Sequence, residues 1–257
     1  MAIYVVSDLH GAGDALRKAV PEGSTLLLLG DLVNFLDYLT MEGILTEVFS
    51  VEAVEEVVRL RTAGDVAEAR RVMRERSAGR EDEIRTQIGL RVREQYEEVF
   101  AALPDPTYLI LGNVDSPDLA RSFAERHPQV ELADGLTIDL EGERFGFVGG
   151  ALPTPMAVAG EITEEEMAAK VEALGDVDVL CSHIPPAVPE LCFDTLAGKH
   201  ERGSEDLLRY IEDVQPRRAY FGHVHQPLIS SLHIGRTLCI NVGYFRSTKR
   251  AWQHICL

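Results

Sequence analysis

Five times along this chain a short apolar run ends and gives way at once to Asp, Asn or His. Asp8-Leu9-His10 follows Ile3–Ser7, Gly30-Asp31 follows Thr25–Leu29, and Gly112-Asn113 follows Tyr108–Leu111. Ser182-His183 closes Val177–Ser182, and Gly222-His223-Val224-His225 follows Ala219–Phe221. Runs of this length and β-branched character read as strands. In α/β sheets the loops that bind ligands lie just past the strand ends. Polar groups repeated at that position therefore converge on one site, and glycines at 11, 30, 112 and 222 permit the sharp turns that bring them together.

Thr137–Leu140, Phe145–Val148, Leu238–Val242 and Trp252–Cys256 complete the expected strands. Helical periods fall between them at Gly13–Val20, Pro117–Arg126, Thr163–Ala173 and Ser204–Asp213, the last opened by a Ser cap. The alternation predicts α/β layers. The closely spaced strands over Thr137–Val148 and Leu228–Cys256 predict hairpins, so the sheets should be mixed.

Residues from about Leu36 to Leu103 hold no strand but show apolar residues at helical spacing, among them Ile84, Ile88, Val92, Tyr96 and Val99. This is a helical insertion, broken at Ser50, at Gly64-Asp65 and at Ser77-Ala78-Gly79, with Asp65 as cap and Glu68 three residues on. Arg70, Arg71, Arg74, Arg76 and Arg80 crowd one part of it. They read as a solvated face balanced by nearby Glu, with a substrate-facing cap or dimer arm as the alternative.

With 25 Lys and Arg against 42 Asp and Glu, the 257 residues carry a net charge of −17. Phosphate backbones are held by clustered cations, so long nucleic acid and anionic membranes are poor partners. A small substrate is the expected partner, and a homo-oligomer is left open. No apolar stretch reaches the ~18 residues of a membrane span. Met1–Asp8 reads as an immediate strand rather than a signal peptide, which predicts a cytoplasmic protein. The expected organisation is one domain over residues 1–257 with the insertion at about 36–103. Cys181, Cys192, Cys239 and Cys256 lack C-x-x-C spacing and read as free thiols, although Cys239 and Cys256 could meet across a hairpin.

Asp8, His10, Asp31, Asn113, His183, His223 and His225 offer oxygen and imidazole donors without thiolate. That set suits Mn²⁺, Fe²⁺, Co²⁺, Ni²⁺ or Zn²⁺. It exceeds the needs of one ion. Two ions about 3.5–4 Å apart, bridged by one carboxylate, would use every donor and leave room for a hydroxide nucleophile and a substrate oxygen.

The ordered series Asp8-x-His10, Gly30-Asp31, Gly112-Asn113, Ser182-His183 and Gly222-His223-x-His225 resembles the calcineurin-like binuclear metallophosphoesterases from Asp8 to about Asn241. The resemblance implies a four-layered αββα sandwich, two divalent metal ions with Mn favoured, and hydrolysis of phosphodiesters or small phosphorylated metabolites by a metal-bridging hydroxide. It assigns Asp8, His10 and His225 to one ion, Asn113, His183 and His223 to the other, and Asp31 to both. It also places loops around the site at Gly198–Ser204, with His200, and at Asn241-Val242-Gly243.

Many members carry a His after the third-block Asn, where it can protonate the leaving group; this chain has Val114. His200 is the candidate replacement. The pattern is similar to smaller members with Gly-Asn-Cys-Asp, which include phosphodiesterases and a retromer-type scaffold subunit, so a non-catalytic interaction protein is the alternative function. Asn34 stands where purple acid phosphatases keep an iron-binding Tyr. Asp115 is expected to orient a ligand rather than be one, with Asp37, Asp14 and Asp194 as weaker candidates for that role. His127, His233 and His254 read as surface or satisfied core residues.

Overall fold

Leu26 to Leu29 are all fully buried, which an extended segment achieves only when both its faces are covered. The computed structural model describes residues 1–154 and 158–256; 155–157 and Leu257, the end of the expected domain, lie outside the described residues. In chain order the strands are β1 (Ile3–Val6), β2 (Thr25–Leu28), β3 (Thr107–Leu109), β4 (Val130–Leu132), β5 (Thr137–Leu140), β6 (Glu143–Val148), β7 (Val179–Ser182), β8 (Phe193–Asp194), β9 (Lys199–His200), β10 (Arg218–Phe221), β11 (Ser231–Ile234), β12 (Thr237–Asn241) and β13 (Trp252–His254). The helices are α1 (Gly13–Ala19), α2 (Ile44–Phe49), α3 (Val51–Thr62), α4 (Val66–Ser77), α5 (Glu81–Phe100), α6 (Pro117–Ala124), α7 (Glu164–Ala173), α8 (Pro189–Cys192), α9 (Glu205–Val214) and α10 (Phe245–Thr248).

One sheet has the order β13-β1-β2-β3-β4, parallel except for β13 at its edge. The other has the order β11-β12-β10-β7-β6-β5, with four parallel strands between antiparallel edges. Side chains alternate across each strand and so build separate cores. Ile3, Val5, Leu27, Phe145, Phe147, Val179, Cys181, Tyr220 and Ile240 meet between the sheets. Val6, Leu26, Leu28 and Leu109 face the other way, onto Leu16 of α1, Tyr96 and Phe100 of α5 and Phe123 of α6. Leu180, Ala219 and Phe221 pack likewise on Met167 of α7 and Leu207 and Ile211 of α9. The layers are helices, sheet, sheet, helices: the αββα sandwich with mixed sheets.

The helix starts follow local chemistry. Thr163 and Glu166 form the reciprocal cap that opens α7, Ser204 caps α9, and Ser116 with Pro117 opens α6. The Asp65 side chain accepts the Glu68 N–H at the start of α4, as its spacing predicts. α3 and α4 form a hairpin around a small core of Val57, Ala69 and Val72, whereas α5 packs into the main core. Arg71 pairs with Glu68 and Glu75, Arg76 with Glu56, and Arg80 with Glu83, the balanced surface the sequence suggested.

Three expectations change. Leu36–Gly43 is not helical, and the helices begin at Ile44. β4, β8, β9 and β11 are strands that the sequence reading left out. Trp252–His254 does not extend a hairpin with β12 but crosses to the first sheet and pairs antiparallel with β1. Cys239 lies in β12 of the second sheet and Cys256 just past β13 of the first, and all four cysteines are free. His254 is a satisfied core residue: its Nε2 lies 2.8 Å from Glu143 Oε2 and its Nδ1 3.0 Å from the Tyr220 hydroxyl, which ties the two sheets together. Among the described residues no helix is long and apolar enough to cross a membrane.

Candidate metal centre

The polar blocks all leave their strands at one end of the sandwich, and the backbone there is forced. Asp8, His10, Asp31 and His223 have φ of 56°, 41°, 56° and 67°, a left-handed region that costs a non-glycine residue about 1–3 kcal/mol. Backbone hydrogen bonds hold them in it: Asp8 N–H to Gly30 O at 3.0 Å, His10 N–H to Asp31 O at 2.9 Å, and Gly222 N–H to His183 O at 2.9 Å. Two glycines are required by space alone. A Cβ on Gly112 would lie 2.1 Å from Asp31 Oδ1, and one on Gly222 would lie 2.2 Å from Asp8 Oδ2.

Two groups of potential ligand atoms result, and Asp31 belongs to both: Asp8, His10, Asp31 and His225, then Asp31, His183 and His223. Asn113 joins the second, its Oδ1 3.2 Å from His183 Nε2 and 3.1 Å from His223 Nδ1. Protonation can be argued from partners. His10 Nδ1 faces Val33 O at 2.8 Å and His183 Nδ1 faces Leu29 O at 2.7 Å. A carbonyl only accepts, so each Nδ1 carries a proton and Nε2 is the nitrogen that each ring turns inward. There His183 Nε2 meets the Asn113 oxygen, and His10 Nε2 meets His225 Nε2 at 3.3 Å and Asp31 Oδ2 at 3.7 Å. Asp8 Oδ1 is buried with no well-formed hydrogen bond. Lone pairs facing lone pairs in a buried cradle are what a cation resolves, so the donor set fits divalent metal.

The electrostatics agree. Burial, then the charge of His225, pushes His10 down to about 4, and burial above all pushes His223 down to about 3. Both rings are neutral at neutral pH, as ligands must be. Burial and the charge of Asp8 raise Asp31. Burial would raise Asp8 too, but the imidazoles of His225, His183 and His10 outweigh it and hold the carboxyl below its usual range. His225 goes up, because Asp8, Asp31 and Asp194 outweigh the effect of burial.

The supporting residues fall into place around these groups. Asp115 is fully buried and accepts the N–H groups of Asp31, Leu32 and Gly112 at 2.9, 2.8 and 2.8 Å, orienting Asp31 through its backbone. Burial and the Asp31 charge raise its carboxyl to about 6. Asn241 Nδ2 donates to Val224 O at 2.9 Å and steadies the His223-Val224-His225 turn. Asp194 is buried and accepts the N–H groups of Leu196 and Ala197. Asp14 is exposed and pairs with Arg17. Asn34 is buried, with its Nδ2 bonded to Glu42 O. Val114 contributes only its N–H, to Asp31 Oδ1 at 3.1 Å.

His200 is exposed on the β8–β9 ribbon, with its ring edge-on to Phe193 at 4.9 Å. The ribbon is docked on the segment after His225, through Thr195 N–H to Gln226 O and Leu228 N–H to Phe193 O. The neighbouring Lys199 is the ribbon residue whose charge reaches His223. Sequence reasoning missed Tyr244 and Arg246. The Tyr244 ring lies flat on His225, and its hydroxyl donates to Asp37, which Arg246 also pairs with. Their position directly after Asn241-Val242-Gly243 was the available signal. Asp37, a weaker candidate for orienting a ligand, is buried and holds the Tyr244 ring from behind.

An αββα sandwich with polar strand-end loops gathered around a shared carboxylate defines a metallohydrolase-like class. Within it the chain belongs to the calcineurin-like phosphoesterase family, whose model matches residues 1–227. A solved crystal structure is similar at 16% identity and TM-score 0.55, covering 95% of this chain and 92% of that one. The crystal structure of TT1561 of Thermus thermophilus is similar at 13% identity and TM-score 0.52, covering 98% of this chain and 97% of that one. At those identities the likeness is one of fold. No curated protein matches the sequence significantly.

Proposed function

We propose that this protein is a dinuclear metal-dependent phosphoesterase acting on phosphodiesters or small phosphorylated metabolites. The observation that carries the reading is the convergence of His10 and His183 Nε2, the Asn113 oxygen and the carboxylates of Asp8 and Asp31 in two buried groups of ligand atoms that share Asp31. Asp8, His10 and His225 would hold one ion, Asn113, His183 and His223 the other, with Asp31 shared. Divalent ions, Mn²⁺ first among them, would supply a hydroxide nucleophile and neutralise the phosphoryl oxygens.

The chain's own residues do the rest. Carbonyls of Val33 and Leu29 hold two imidazoles in the ligating tautomer, and Asp115 fixes the backbone that presents Asp31. With Val114 in the third block, proton delivery to the leaving oxygen is assigned to His200, whose ribbon abuts the His225 turn. Cytoplasmic location and a small, non-polymeric substrate are part of the same proposal.

The test is hydrolysis of bis-p-nitrophenyl phosphate by protein loaded with Mn²⁺, against protein stripped by chelator and against Asp31→Asn. Metal-dependent turnover that disappears in Asp31→Asn supports the assignment. Turnover that persists in a folded Asp31→Asn protein overturns it, and two bound ions with no turnover on any phosphoester point to the interaction-protein alternative.

A further inference from the structure

Two of the four imidazoles at the centre are anchored behind the nitrogen they turn inward: His10 and His183 each bond a backbone carbonyl through Nδ1. His223 turns Nδ1 itself inward, to Asn113 Oδ1 at 3.1 Å. His225 has no such anchor either. Its Nε2 points into the cluster, 3.3 Å from Asp8 Oδ1, and among the described residues its Nδ1 has no hydrogen bond. An imidazole on one unrestrained side-chain torsion would lose its aim, since terminal ring torsions are broad.

The Tyr244 ring supplies what the hydrogen bond does not. It lies parallel to the His225 ring, centroids 4.0 Å apart and planes 2° apart, and meets His10 edge-on at 5.5 Å and 78°. The phenol is itself held from behind. Its hydroxyl donates to Asp37 Oδ2 at 3.0 Å, and the same oxygen accepts from Arg246 Nε at 3.1 Å. Asp37 Oδ1 takes the N–H groups of Leu39 and Thr40. Arg246 closes the frame by donating to His10 O at 3.1 Å. The frame touches both imidazoles of one ligand group and neither imidazole of the other.

Resting on the dinuclear reading above, we propose that Tyr244 is a positioning residue that aims His225, and that the Tyr244–Asp37–Arg246 frame sets the affinity of the Asp8–His10–His225 side for its ion without affecting the Asn113–His183–His223 side. Outer partners of metal ligands are worth about 10–100-fold in affinity. Tyr244→Leu should therefore weaken one of two ions by about 10-fold or more and leave the other unchanged. Tyr244→Phe, which keeps the stacked ring and loses only the bond to Asp37, should recover part of the loss and leave the rest to the missing frame contact.

The experiment titrates chelator-stripped protein with Mn²⁺ against a chromophoric chelator, counts bound metal by elemental analysis, and records the Mn²⁺ paramagnetic resonance spectrum. Wild type should bind two ions; Tyr244→Leu at low free metal should bind one and show the spectrum of an isolated ion. Two ions in wild type with unchanged affinities in Tyr244→Leu overturn the inference and leave the dinuclear reading intact. Equal weakening of both ions also overturns it. Fewer than two ions in wild type removes both. If Tyr244→Leu does not fold, Asp37→Asn carries the test, since it must weaken the same single ion, and an equal effect on both refutes the frame.

Discussion

The same methyl group added at two glycines should have opposite consequences. Gly112→Ala would place a Cβ 2.1 Å from Asp31 Oδ1 and 2.6 Å from His183 Cε1. Reaching the 3.4 Å of ordinary contact moves the Asp31 oxygen by about 1.3 Å and the imidazole by about 0.8 Å. Neither can yield cheaply, because Asp31 is fixed by Asp115 and Val114 and His183 by Leu29. Overpacking of this kind costs about 1–3 kcal/mol, and a misplacement near 1 Å costs about 100-fold at a reacting centre. Gly89 lies within α5, is exposed, and has nothing within 4 Å of a built Cβ. Gly89→Ala should stabilise by about 0.5–1 kcal/mol, a rise of about 1–4 °C in Tm. Thermal unfolding of the metal-free proteins and metal content after reconstitution measure both. Gly112→Ala with wild-type Tm and full metal loading would refute the close packing of Asp31 on the third loop, and a Gly89→Ala that melts lower would refute the open helix face.

Two further outcomes follow from the buried charges. Asp115→Asn replaces an acceptor of three backbone N–H groups by an amide whose NH₂ must oppose at least one of them, which should destabilise by about 1–3 kcal/mol and lower metal affinity; an unchanged denaturant midpoint would count against it. In metal-free protein, His10 and His223 should stay uncharged until the pH approaches about 4 and about 3, whereas His225, raised by the carboxylates around it, should keep its proton to higher pH than an ordinary histidine. An ion held by His225 would displace that proton, so metal affinity should climb with pH until His225 is deprotonated, by up to about tenfold per unit. Imidazole NMR titration and calorimetry in buffers of different ionisation enthalpy check the two statements, and pH-independent affinity would contradict the second.

The centre was legible because its spacing is linear information. Each ligand block sits directly after an apolar run, and the register of parallel strands brings those ends together whatever lies between. The helices of the insertion were legible for the same local reason, through Ser50, Asp65 and the Ser77–Gly79 break. What sequence did not show depends on long-range geometry. β4 has three residues and β11 alternates exposed with half-buried positions, so neither makes an apolar run. The pairing of Trp252–His254 with β1 needs the chain to cross between sheets, which no local pattern records. Tyr244 looked like any aromatic after a strand; only the tertiary structure lays its ring on His225.

The insertion has a consequence for how such a chain can change. β2 and β3 are hydrogen-bonded neighbours, so everything between Leu28 and Thr107 is one crossover connection. α5, with Ile44 of α2 beside it, does the packing that a crossover helix must do against the sheet, while the α3–α4 hairpin keeps a core of its own. Lengthening or trimming that hairpin costs little, since doubling a loop adds only about 0.6 kcal/mol of closure entropy. The strand register that gathers Asp8, Asp31 and Asn113 would be untouched. The hairpin is thus an interchangeable module, free to drift or be grafted while the chemistry at the strand ends stays fixed.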